Sequence, residues 1–147
     1  MEYKTKQIGK GIIIFISLFI LAFGVSLFMI PDIEPDVLAA FSGSIIVFFL
    51  VIILFGSLET TVNSRQIKIK FGIGLIKKQI ELSEIESIRK VTNKFWYGWG
   101  IRLTPHGWLW NIAGYEAVEI NFKTDKKSFR IGCKSNTELY SAIKSRL

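Results

Sequence analysis

The sequence predicts an α+β, mainly β protein on a membrane anchor. An N-terminal two-helix transmembrane hairpin comes first, then an antiparallel β-domain of about seven strands closed by one C-terminal helix. Three observations carry this reading. Two long runs near the N-terminus contain no charged residue, apolar and polar residues alternate with period two through most of the remainder, and a serine-led capping pattern opens a helical spacing at the end. Composition agrees with such a division. Half of the 147 residues are hydrophobic and mean hydropathy is +0.37, yet the formal net charge is +7. One globular domain rarely combines these properties, so they belong to different segments.

The uncharged runs are residues 11–30 and 37–58, twenty and twenty-two residues long. At about 1.5 Å rise per residue, twenty residues span roughly 30 Å, the thickness of a bilayer's hydrocarbon core. A cleaved signal peptide has an apolar stretch of roughly 7–15 residues before a small-residue site. Ala22-Phe23-Gly24 loosely imitates such a site, but Val25, Leu27, Phe28 and Ile30 carry the apolar run past it. The second run begins after only six residues, 31–36, where prolines at 31 and 35 end the first helix and keep the turn short. The two helices are therefore antiparallel neighbours.

Lysine and arginine placement sets the orientation. The acidic connector has neither, whereas Lys4, Lys6 and Lys10 precede the first span and Arg65, Lys68 and Lys70 follow the second. The expectation is a multi-pass cell-membrane protein with both termini cytoplasmic: residues 1–10 a tail, 11–58 the hairpin, 59–147 a cytoplasmic domain. Neither span contains an ionisable residue, which argues against an ion or proton pathway. Gly24 lies seven residues before Pro31 and Gly43 seven after Asp36, so both reach similar depth and are candidate helix–helix packing points.

Residues 59–147 hold sixteen of the nineteen Lys+Arg and eight of the twelve Asp+Glu, a net charge of +8. Ile67, Ile69 and Phe71 alternate with Gln66, Lys68 and Lys70, and Gly72-Ile73-Gly74 reads as a turn into a second strand over 75–81. Further strands are expected at 85–91, 101–104, 108–110, 118–122 and 129–131, with turns at 104–107 and 124–126. Ser135 followed by Glu138 fits a capping box, and Leu139 and Ile143 then recur at helical spacing.

No residue set supports catalysis. A cysteine nucleophile needs an adjacent base, and the lone His106 sits in an expected turn while Cys133 continues the inward alternation of Phe129 and Ile131. One cysteine and one histidine build no closed zinc site. The pairs Gly72/Gly74 and Gly98/Gly100 lack the lysine–serine/threonine ending of a phosphate loop. No cofactor is implied. The lysines are spread along alternating strand positions rather than gathered in an RNA-binding motif, which argues against nucleic acid and fits a solvated face or attraction to an anionic inner leaflet. All four tryptophans fall between positions 96 and 110. Trp108 and Trp110 share a strand face and read as core. Trp96, Tyr97 and Trp99, with Arg102 just beyond, form a candidate contact loop, because amphipathic rings suit membrane interfaces and protein contacts.

The runs Trp96-Tyr97-Gly98-Trp99-Gly100-Ile101-Arg102, Gly107-Trp108-Leu109-Trp110-Asn111, Ala117-Val118-Glu119-Ile120 and Ile131-Gly132 resemble the blocks of the bacterial PH-like domain membrane proteins. The resemblance covers roughly residues 60–147, and Cys133-Lys134 departs from the family's pattern. It implies a PH-like barrel behind two transmembrane helices and no particular ligand. The functional expectation is a non-enzymatic interaction module at the membrane, touching the lipid bilayer and binding a protein partner, a second copy of itself or lipid headgroups. The alternative is an accessory subunit of a membrane complex, such as a transporter or an antimicrobial-peptide resistance system, acting through its spans.

Overall fold

The computed structural model of the chain describes residues 2–30, 32–124 and 126–147. In chain order these form β1 (Tyr3–Ile8), α1 (Lys10–Phe28), α2 (Pro35–Phe55), β2 (Ser57–Val62), β3 (Gln66–Phe71), β4 (Ile76–Glu81), β5 (Ile85–Thr92), β6 (Gly100–Thr104), β7 (Gly107–Asn111), β8 (Glu116–Phe122), β9 (Ser128–Gly132) and α3 (Asn136–Lys144). Pro31, read as the stop of the first span, and Asp125, read as the centre of the 124–126 turn, lie outside the described residues.

The uncharged runs become α1 and α2, both long and apolar enough to cross a membrane. Only Ile16 and Leu27 are buried on α1 and no residue is buried on α2. Apart from Ile12 and Phe55, which pack against the core at the foot of the hairpin, most of their apolar side chains are left exposed, unlike those of a core helix of a soluble domain. The antiparallel pair meets through rings: Phe19 packs edge-on against Phe48 at 5.3 Å and Phe23 tilts against Phe41 at 5.1 Å.

The segment read as a tail is strand β1. It pairs antiparallel with β2, from Tyr3 opposite Val62 to Ile8 opposite Ser57. Single residues, Gly9 and Gly56, join these strands to the helices, and the Gly9 N–H donates to the Gly56 carbonyl at 2.9 Å. A β-ribbon therefore continues directly into the helical hairpin, and the N-terminal strand lies at the same end of the hairpin as the rest of the sheets. Helix α2 stops at Phe55 rather than reaching Leu58, because Leu58 is the first inward residue of β2.

Among the described residues nine strands replace the seven expected, and they make two sheets rather than a closed barrel. The first has order β1-β2-β3-β4 and the second β5-β8-β9-β7-β6. All pairings are antiparallel except β7 with β9, which run parallel. A short 3-10 turn, Leu82–Glu84, carries the chain from one sheet to the other, so the ladder breaks between β4 and β5. One hydrophobic cluster serves both sheets: Leu58, Val62, Ile67, Ile69 and Phe71 from the first meet Trp110, Val118, Ile120, Phe129 and Ile131 from the second. Helix α3 covers it with Leu139 and Ile143, and the Ser135 hydroxyl accepts the Glu138 N–H at 3.3 Å, as its cap position requires. Cys133 joins this core. Trp108 does not: it shares a face with Trp110, but opposes the exposed Leu103 near the end of the strand and is 47% exposed.

Candidate functional site

The segment joining β5 to β6 begins at Asn93, whose N–H donates to the Tyr115 carbonyl at 2.7 Å. A 3-10 turn over Phe95–Tyr97 follows, and Gly98 and Gly100 then take φ of +66° and +95°. Those angles are the reason glycines flank Trp99, since other residues rarely adopt them. The turn is three consecutive aromatic residues, Phe95-Trp96-Tyr97, none of them buried. Phe95 and Trp96 are among the most exposed aromatic side chains outside the helices, Trp96 at 70%. Lys94 Nζ stands 5.1 Å from the Trp96 ring centre, and Trp96 meets Tyr97 edge-on at 6.4 Å.

Trp99 behaves differently. Its ring lies against Gly11 in the first turn of α1: a Cβ at Gly11 would stand 2.5 Å from Cη2 and 2.8 Å from Cζ3. The absent side chain at Gly11 is thus the seat of the indole, which stays 41% exposed. Arg102 is exposed and donates from Nε to the Trp99 carbonyl at 3.0 Å. Of the expected contact residues, Trp96, Tyr97 and Trp99 lie in one loop, and Arg102 stands just beyond it on β6. Arg102 braces that loop through its backbone.

Beside the loop, Lys6, Ile8, Lys10 and Lys134 line a shallow cleft of ≈ 390 Å³ with Gly114. Gly114 also lines a second cleft of ≈ 330 Å³ under the loop, with Asn93, Phe95, Trp99 and Asn111. The foot of the hairpin is therefore ringed by lysines and aromatic side chains.

The sheet face behind the loop carries an ion network. Glu119 of β8 is fully buried and sits between Arg130 of β9, whose Nε donates at 2.6 Å, and Arg89 of β5, whose Nε donates at 2.6 Å. Burial alone raises the Glu119 carboxyl pKa, but the hydrogen bonds and charges of Arg130 and Arg89 overcome it and hold the group below its ordinary value. Arg130 Nη1 reaches the Asn93 amide oxygen at 3.5 Å, linking the network to the start of the loop. Burial, then the charge of Glu116, pushes the Cys133 thiol up to about 12.

Of the two glycines expected at the helix interface, Gly24 faces the partner helix and Gly43 faces open space, and the close contacts between the helices are made by phenylalanine rings. A Cβ at Gly24 would make ordinary contact with Phe41 at 3.7 Å, and one at Gly43 would meet nothing within 4 Å.

Sequence reasoning did not single out Phe95, Asn93, Asn111 or Tyr115. Phe95 had a signal, being the neighbour of Trp96 in the same glycine-bounded segment. The asparagines had none, because a polar residue beside a turn is ordinary. Among the described residues no group of three or more His, Cys, Asp or Glu is placed to hold a metal ion. Comparison with protein-family models, with curated proteins and with solved structures finds no match.

Proposed function

We propose that this chain is a non-enzymatic, membrane-anchored interaction module of PH-like character at the cytoplasmic face. In this reading α1 and α2 cross the bilayer, and the aromatic loop 95–99 meets the lipid headgroup layer. The carrying observation is the Trp99 ring seated on Gly11, in the first turn of the first span. A ring fixed at the end of a transmembrane helix lies at headgroup depth, where tryptophan is favoured. Phe95 and Trp96 are exposed beside it, and Lys6, Lys10 and Lys134 add cations at the same level. Each such cation near an anionic leaflet contributes about 1 kcal/mol. The elevated Cys133 thiol supports a non-enzymatic reading, since a nucleophilic cysteine needs its thiolate. Lysines flanking the spans on one side only support cytoplasmic termini.

Depth-dependent quenching tests the loop. In nanodiscs of anionic lipid brominated near the headgroup, the full chain should lose tryptophan fluorescence, and the Trp96→Phe/Trp99→Phe variant should lose much less. Equal quenching in both proteins would remove the loop from the membrane. Topology is tested separately in a Cys133→Ala background. An impermeant thiol reagent on intact cells should label Glu34→Cys and spare Lys123→Cys, and the opposite pattern would invert the assignment.

A further inference from the structure

The two ends of the β-domain carry opposite surfaces. Strand register places the connections 63–65, 82–84, 105–106 and 123–127 at the end far from the hairpin. Among the described residues none of these connections has an exposed large apolar side chain. Residues 72–75, 93–99 and 112–115 lie at the hairpin end, where Gly72 touches α2, Trp99 touches Gly11 and Ile112 touches Gly9. There Ile73, Leu75, Phe95, Trp96, Trp99 and Tyr115 are all exposed. The aromatic loop is one part of this apolar rim, and the β3–β4 turn is another.

That turn is Gly72-Ile73-Gly74-Leu75. Turns are ordinarily built from Gly, Pro, Asn, Asp and Ser, yet its two larger residues are Ile73, 68% exposed, and Leu75, 73% exposed. Helix α2 fixes its depth. A Cβ at Gly72 would overlap the Ile53 carbonyl and stand 2.6 Å from that of Leu54, so the backbone of the turn touches the last turn of the helix. Ile53 lies two residues inside the end of α2, about 3 Å by the helical rise. The Gly72 N–H also donates to the Ser57 carbonyl at 2.8 Å, tying the turn to the start of β2. Two bulky aliphatic side chains are thus held uncovered beside the end of an apolar helix that has no buried residue of its own.

A row of cations stands directly behind the turn. On the outward face of the first sheet, register sets Lys6, Glu59, Lys70 and Lys77 side by side. Lys70 Nζ lies 3.0 Å from Glu59, but Lys77 is directly opposite Lys70 and has no ion pair among the described residues. Like charges directly opposed across a ladder are destabilising, and an external anion would relieve this pair. We propose that the β3–β4 turn is a second membrane contact, with Ile73 and Leu75 entering the leaflet at the end of α2 and Lys77 engaging anionic lipid headgroups. This rests on α2 crossing the bilayer and adds a contact separate from the aromatic loop. Interfacial binding draws on this combination, apolar area buried at the acyl boundary and cations attracted to anionic lipid. A protein partner is the other way to cover the two aliphatic side chains, and it would leave them open to water when this chain is alone in a bilayer.

The test uses the full chain in phosphatidylcholine nanodiscs, in a Cys133→Ala background, with a nitroxide on one introduced cysteine. Accessibility of the label to oxygen is compared with its accessibility to a water-soluble nickel complex. Val47→Cys on α2 reports the span, and Ser64→Cys in the far β2–β3 turn reports water. Labels at Ile73→Cys and Leu75→Cys should give oxygen-to-nickel ratios several-fold above that at Ser64→Cys. Leu103→Cys, an exposed apolar site near the far end, should match Ser64→Cys. Replacing phosphatidylcholine by phosphatidylglycerol should raise the ratio at Leu75→Cys further. Lys77→Gln should diminish that rise, and Lys123→Gln, at the far end, should not. A label at position 73 or 75 as open to nickel as that at 64, with Val47→Cys shielded, would overturn the proposal while leaving the spans in place, and would give the turn to a protein partner. A ratio at Leu103→Cys as high as those at 73 and 75 would also overturn it, by making the label and not the turn the cause of insertion. An undiminished lipid response in Lys77→Gln would remove the lysine from the contact. Nickel access at Val47→Cys would instead take α2 out of the bilayer, and the anchored reading would fall first.

Discussion

Glu119 in the second sheet and Glu59 in the first offer a paired test of what a buried ion pair contributes. Each carboxylate sits between two cations, and each has its pKa lowered despite burial. Their partners differ. Lys4 and Lys70, which flank Glu59 at 3.3 and 3.0 Å, have side chains 60% and 46% exposed, whereas that of Arg130 beside Glu119 is only 9% exposed. Glu119→Gln therefore strands a buried guanidinium, and removing one partner of a buried pair costs about 3–5 kcal/mol. Glu59→Gln frees two lysines that simply turn to water, and an exposed pair contributes about 0.2–1 kcal/mol. Thermal unfolding of the full chain in detergent, followed by circular dichroism, should show a large loss for Glu119→Gln and a small one for Glu59→Gln. Acid unfolding adds a sign. A carboxyl whose folded pKa lies below its ordinary 4.5 contributes its full stability above pH 4.5 and loses it as pH falls through the lower folded value. The wild type should accordingly lose stability more steeply than Glu119→Gln in that acid window. Equal effects of the two substitutions would refute the claim that burial of Arg130, rather than the count of ion pairs, sets the cost.

The other predictions concern the hairpin, the loop and the thiol. Gly72 has φ +48°, and a Cβ there would overlap the Ile53 carbonyl and stand 2.6 Å from that of Leu54. Gly72→Ala should cost at least about 1–2 kcal/mol by lifting the β3–β4 turn off the end of α2, and an unchanged melting temperature would contradict that docking. Gly43→Leu should leave melting in detergent unchanged, because its Cβ meets open space, whereas Phe48→Ala should lower it through the lost contact with Phe19. Trp96→Ala should shift stability by no more than about 0.5 kcal/mol, while Trp110→Ala, in the core between Phe71 and Phe129, should cost about 3–5 kcal/mol. Both belong in the full chain, since a 59–147 fragment would lack β1 and the start of β2. Cys133, with its thiol near 12 and its side chain in the core, should resist maleimide at pH 8 until denaturant is added, and rapid labelling of the folded chain would place it elsewhere.

Seven strands, two apolar helices and the terminal helix were legible because each has its own period or run. Ile67-Lys68-Ile69-Lys70-Phe71 alternates visibly whatever packs on it, and Ser135 with Glu138 marks a cap by local hydrogen bonding alone. β1 was not legible. As an edge strand it buries only Gln7, so Tyr3–Ile8 carries no apolar alternation and resembles a charged tail. β2 was hidden for the opposite reason: its Leu58 extends the apolar run of the preceding helix, and only Gly56 marks the join.

The aromatic loop was visible as composition, since tryptophans between glycines break strand alternation. Its use was not, because the seat of Trp99 is Gly11, 88 positions earlier in the chain. Trp108 and Trp110 share a face by period two, yet one is exposed and one buried, a difference set by how far the other sheet extends over β7. Glu119 and Arg130 read as outward-facing charges, and it is the fold that covers them and pairs them across β8 and β9. What the sequence by itself determined is local: periodicity, uncharged length and caps, each decided by neighbours within a few residues. Only the tertiary structure decided the split into two sheets, the strand made from the tail, and the pairing of Glu119 with Arg130. Those depend on contacts between residues far apart in the chain, which no local pattern encodes.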